Sequence, residues 1–125
     1  MNELTVNKVL FYGDETASVT LESDSSSVDV FCHRCEYKEG DKVNNLLQVL
    51  DAEVKAAYLG DWPVEIIKEK SQERLEKTGP YSYKGCGKVV DPENGIIEVK
   101  GFLIETNEIL HCSAVEFEIN RLDLW

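Results

Sequence analysis

Cationic side chains are scarce in this 125-residue chain: 13 Lys and Arg stand against 24 Asp and Glu, a net charge of −11 at pH 7. A small soluble domain ordinarily carries a magnitude of about 2–8. A field of this sign repels phosphate backbones, whose binding depends on Lys and Arg displacing counterions. Nucleic acid is therefore a disfavoured partner, and so is an anionic membrane. The partner that the charge favours is a basic protein, because opposite fields draw it in and speed its arrival.

Long apolar runs are missing as well. Near the N-terminus the longest runs only from Val9 to Tyr12, and no small-residue cleavage site follows it. No window has the length of a membrane span or the layout of a signal peptide. The expectation is a cytoplasmic protein with Cys32, Cys35, Cys86 and Cys112 held as thiols. Histidine is nearly absent, so any histidine-dependent acid–base chemistry rests on His33 and His111. What is present suits one ordinary domain over residues 1–125, at 42% hydrophobic and 30% charged, inside the globular range.

The clearest pattern is a period of two. Ala17, Val19 and Leu21 alternate with Ser18, Thr20 and Glu22. After the polar loop of residues 23–27, Val28, Val30 and Cys32 alternate with Asp29, Phe31 and His33. Two half-buried strands joined by a short polar loop read as a hairpin. A second hairpin runs from Gly87–Val90 through Asp91-Pro92-Glu93-Asn94-Gly95 into Ile96–Val99, since Asn-Gly supplies the positive φ angles of a tight turn. Residues 96–104, apolar on both faces apart from Glu98 and Lys100, read as one central strand. Val115, Phe117 and Ile119 point inward on a further strand whose phase shifts near Asn120, as at a bulge or bend. Residues 4–12 make another.

The middle reads as helix. Val43, Leu46, Leu47, Leu50, Val54 and Ala57 fit helical spacing with Gly60 as a stop, although strand is the alternative for residues 43–59. From Asp61 a second helix is expected, with Pro63 in its first turn, Glu65 complementing its dipole, and Gly79-Pro80 ending it. The prediction is a mainly β chain, α+β by element count: a small antiparallel β-barrel or strongly curved sheet with a helical insertion around residues 44–78. In strand count and in the place of the insertion it resembles the oligonucleotide-binding (OB) barrel, a likeness of fold that carries no function.

Cys32-His33-Arg34-Cys35 has the spacing of a zinc knuckle, and His111 and Cys112 could complete a tetrahedron, with Cys86 in reserve. Three features oppose it. No Gly or Pro helps the turn, the remaining candidates form no second Cys-x-x-Cys, and the motif continues a strand in which residues three apart face opposite ways. A redox reading needs a helix N-terminus to lower a thiol pKa, where this sequence is strand-like and acidic. The cysteines are expected to fill small core sites singly. A Cys112–His33 nucleophilic pair depends on a meeting in the fold that sequence does not reveal.

Gly85-Cys86-Gly87-Lys88 lacks the Ser or Thr of a phosphate loop and leads into a strand; its glycines suit a bend. Asp91–Gly95 has too few ligands for calcium. Tyr81, Tyr83 and Trp62 offer stacking surfaces, for which Lys84, Lys88 and Lys100 would have to supply the cations. No catalytic residue, metal or cofactor is expected. The composition points to a non-catalytic binding module, of inhibitor or immunity type, that masks a basic partner. The alternative is an OB-like barrel binding a small molecule or single-stranded nucleic acid.

Overall fold

The computed structural model describes residues 3–57, 62–70 and 72–124. The chain is mainly β and forms one mixed sheet that is not closed. Its strands are β1 (Glu3–Phe11), β2 (Ala17–Glu22), β3 (Ser27–Cys32), β4 (Lys42–Asn44), β5 (Gln48–Ala56), β6 (Arg74–Lys77), β7 (Tyr83–Asp91), β8 (Ile96–Val99), β9 (Phe102–Glu105) and β10 (Ala114–Leu124). The order across the sheet is β4-β1-β2-β3-β10-β7-β8-β9, with β5 on β10 and β6 on β7. No helix among the described residues is long and apolar enough to cross a membrane.

β10 organises the molecule. One edge takes β5 from Val115 to Asp123, while the other takes β7 as far as Ile119 and then β3, in parallel, at Asp123 and Leu124. The shift of phase after Asn120 falls at this change of neighbour. Ile119 is buried on one side of it and Leu122 and Leu124 on the other.

The hairpins β2–β3 and β7–β8 form as the alternation and the Asn-Gly turn predict. Two other expectations are overturned. Residues 96–104 are two strands, because Lys100 (φ 50°) and Gly101 (φ 86°) both enter the left-handed region and fold β8 back on β9. Positive φ at both central residues is the type I′ requirement, met here without asparagine. The turn is clamped by neighbours: Ser23 and Ser25 hydroxyls donate to Lys100 O at 2.6 and 2.8 Å, and Asn45 Nδ2 donates to Gly101 O at 2.9 Å.

The helical insertion at 44–78 is overturned too. Residues 48–56 are strand β5, and the only helix among the described residues is α1 (Val64–Lys70). Helical spacing would have buried Leu50, which is instead 51% exposed, while Val49, Ala52 and Val54 pack against the core. The edge of β10 pairs eight of the nine β5 residues, all but Asp51, and tertiary pairing outweighed local helix propensity. Pro63 does precede α1, but Arg74–Lys77, expected as helix, pairs with β7 as β6. Gly60 and Asp61, expected to stop the first helix and begin the second, lie outside the described residues.

The main core joins both halves of the sheet, from Leu4, Val19 and Val30 to Ile97, Phe102 and Leu122. Gly95 shows how tightly the β7–β8 turn is seated: its φ is 68°, and a Cβ there would lie 2.0 Å from Glu108 O and 2.8 Å from Thr106 Oγ1. Gly95→Ala is therefore expected to cost about 2 kcal/mol in urea unfolding, from left-handed strain plus overpacking. A neutral substitution would show that the 106–110 segment gives way freely.

Candidate functional site

Among the described residues, one solvent-facing area gathers charged, aromatic and imidazole groups. It is built on β3 and the end of β10. Alternation sends Asp29 and Phe31 outward from β3, and His33 follows just past its end. The parallel register of Phe31 with Asp123 brings the end of β10 alongside.

Phe31 is the centre. Tyr12 stacks beside it with centroids 6.4 Å apart, His33 and Tyr81 meet it edge-on at 4.8 and 5.8 Å, and Arg121 Cζ lies 4.5 Å above its ring. The Tyr12 and Tyr81 hydroxyls touch each other. Asp123, 4% exposed, anchors the group: it accepts from Arg121 Nε at 2.7 Å and Nη2 at 3.2 Å, with His33 Nε2 3.2 Å away. A fork of this kind fixes the guanidinium as well as neutralising it. Leu10 and Tyr12 extend the area on one side, Leu50 (opposite Arg121) on the other, and each is more than half exposed.

The surroundings are acidic. Asp14 lies in the turn after Tyr12, its carboxyl held below the usual range by the Thr16 hydroxyl and amide. Burial works to raise the Asp29 carboxyl, but the Lys77 ammonium and the Thr20 hydroxyl, at 2.5 Å, outweigh it and hold it low. Along β5 and β10, Glu53 and Glu118 stand directly opposite each other, with Lys84 across from Glu118 on β7, and among the described residues neither glutamate forms an ion pair. They line a groove of about 460 Å³ whose other charges are already matched: Lys55 and Arg74 on Glu116 at 3.5 and 3.6 Å, Lys84 on Glu76 at 3.7 Å. Like charges opposed across a ladder destabilise it.

The cysteine and histidine candidates divide. Cys32 and Cys35 come together, because the strand ends at Cys32; the expectation that residues three apart face opposite ways fails there. His111 and Cys112 line a separate apolar hollow of about 280 Å³ with Val54, Ile109, Leu110 and Val115. That hollow adjoins the start of β10, whereas His33 sits by its end, an eleven-residue strand roughly 35 Å long. Cys112 and His33 are therefore not a pair. Among the described residues no three His, Cys, Asp or Glu are placed to hold a metal. Cys86 is buried with Ala57 and Ala114, its thiol pushed up by burial.

Gly85, expected to permit a bend, permits close approach: a Cβ there would lie 1.9 Å from Arg74 O, so β6 could not pair. Asp91 closes its turn by accepting from Asn94 N and Nδ2 at 3.2 and 2.8 Å. Of the aromatics, Tyr81 joins the Phe31 cluster, Tyr83 is buried with its hydroxyl accepting from Asp29 N–H at 2.8 Å, and Trp62 is half-buried. Lys84 and Lys100 face Glu76 and Glu73, while Lys88 is exposed. Sequence reasoning missed Tyr12, Arg121 and Asp123. The available signal was charge on one strand face, Arg-x-Asp, at the end of a strand that alternates apolar and polar residues. No family model, curated protein or solved structure matches this chain.

Proposed function

We propose that this protein is a non-catalytic binding module that masks a basic protein partner, and that it docks through the Phe31 face. The observation that carries this reading is the exposed raft of Tyr12, Leu10 and Leu50 around Phe31 and Arg121, on a chain of net charge −11. Tyr and Arg are the residue types that dominate binding energy, and an acidic surround supplies steering toward a cationic partner. The opposed Glu53 and Glu118 support the sign of the charge, since a partner's Lys or Arg placed between them relieves their repulsion.

A second reading, an OB-like barrel that binds a small molecule or single strand, draws on one contact. Leu47 N–H donates to Leu103 O and Leu47 O accepts from Glu105 N–H, both at 2.8 Å, linking β9 to the chain just before β5. The aromatic raft would then stack bases.

The test is titration of a panel of purified basic proteins and of a single-stranded oligonucleotide at low and high salt. Binding of a basic protein that weakens at least tenfold with salt, and about tenfold on Tyr12→Ala, is the expected result. Salt-insensitive or absent protein binding overturns the reading, and retention of the oligonucleotide at low salt favours the second.

A further inference from the structure

We propose that Cys32 and Cys35 form a reversible dithiol–disulfide pair that is oxidised by a low-molecular-weight disulfide. The inference is independent of any partner.

Local register brings the sulfurs together. Ala17 pairs with Cys32 across the β2–β3 ladder, so a regular continuation would set residue 34 opposite Glu15. Instead Cys35 N–H donates to Glu15 O at 2.8 Å, one residue out of step. One extra residue on one strand reverses the parity of every side chain after it. Cys35 thus returns to the face that Cys32 occupies, against the main core, rather than pointing away from it. The Cys35 thiol is the neighbour of the Cys32 thiol on this face, and the Arg34 backbone amide lies beside the Cys32 sulfur. Cys35 Sγ lies 3.9 Å from Tyr37 O, which seats it from the far side. All four cysteines of the chain are thiols in this structure.

Exposure divides the roles. Cys32 is 1% exposed, and burial, followed by the neighbouring Cys35 sulfur, pushes its thiol up to about 12. Cys35 is half-buried and can be reached from solvent. In the first step the Cys35 thiolate attacks one sulfur of R–S–S–R, forming a mixed disulfide and releasing one thiolate RS⁻. In the second, the Cys32 thiolate attacks the Cys35 sulfur and expels the second RS⁻. Overall the protein dithiol loses two electrons and two protons, and one disulfide becomes two thiols. The barrier lies in the second step, because the buried thiol ionises reluctantly. The ring so formed holds only His33 and Arg34 between its cysteines, and His33, like Arg121, contacts both Phe31 and Asp123. Oxidation therefore acts on the edge of the Phe31 face.

The test uses the full reduced chain, glutathione disulfide as oxidant, and mass spectrometry of peptides after alkylation of remaining thiols. The expected product is a Cys32–Cys35 disulfide, opened again by excess reduced glutathione and formed about tenfold faster per pH unit between roughly pH 7 and 9. Cys32→Ser, or Cys32→Ala should the serine fail to fold, is expected to stop at a glutathione adduct on Cys35. Cys35→Ser leaves Cys32 unmodified. A wild-type chain that accumulates the Cys35 adduct without resolving it, or that links Cys35 to Cys112, overturns the proposal.

Discussion

Replacing Phe102 by alanine is expected to lower the unfolding free energy by about 3–5 kcal/mol, read from the midpoint of a urea titration. Among the described residues, Phe102 is the largest side chain wholly removed from solvent. It opens β9 directly after the Lys100-Gly101 turn, opposite Val99. The cost of such a truncation depends on whether the surroundings can collapse into the space. Here they are held on both edges. β8 pairs along one, and on the other Leu47 bonds Leu103 O and Glu105 N–H. The cavity therefore persists. A domain of this size is stable by only about 5–15 kcal/mol, so the loss is a large share of the whole. Ile109→Ala, at a site 68% exposed, is the control and is expected to change stability by less than about 0.5 kcal/mol. A loss below about 1 kcal/mol for Phe102→Ala would mean that β9 does not close the core.

Asp123→Ala is expected to cost about 3 kcal/mol, through a different cause. Its carboxylate is 4% exposed and is the counter-charge to Arg121, whose guanidinium is pinned over Phe31. Removing one partner of a largely buried pair leaves the other charge without compensation, which is far more damaging than removing both. The Arg121 side chain keeps 28% exposure, so the effect belongs at the low end of the range for buried pairs. The double variant Arg121→Met/Asp123→Ala should recover part of the loss. Strict additivity of the two single changes would show that the pair contributes nothing. The same comparison bears on binding, since loss of the Arg121 clamp frees Phe31 and His33 to move within the proposed docking face.

The hairpins were legible because their evidence is local. Alternation from Ala17 to Cys32 and the Asn94-Gly95 turn each need only neighbouring residues, and both form as read. The Lys100-Gly101 turn was hidden because its positive φ values are imposed from outside, by Ser23, Ser25 and Asn45, which lie 56 to 77 residues away along the chain. Residues 48–56 misread as helix for a related reason. Their spacing satisfied a helix, but the decisive partners on β10 lie 59 to 75 residues downstream, from Val115 opposite Ala56 to Asp123 opposite Gln48. The Cys32–Cys35 contact escaped because a one-residue shift in register is invisible to a count of residues. The Phe31 face escaped because Tyr12, Phe31, Tyr81 and Arg121 come from four separate segments.

By itself, the sequence determined the quantities that depend on composition and near neighbours: strong negative charge, dominance of β structure, and the positions of two hairpins. Tertiary structure alone decided which strands share β10, which apolar residues remain outside, and which thiols meet. The physical reason is that local periodicity states which face a residue prefers but not what lies across from it. Opposing edges are chosen by burial summed over the whole sheet, and the candidate site exists only where those edges converge.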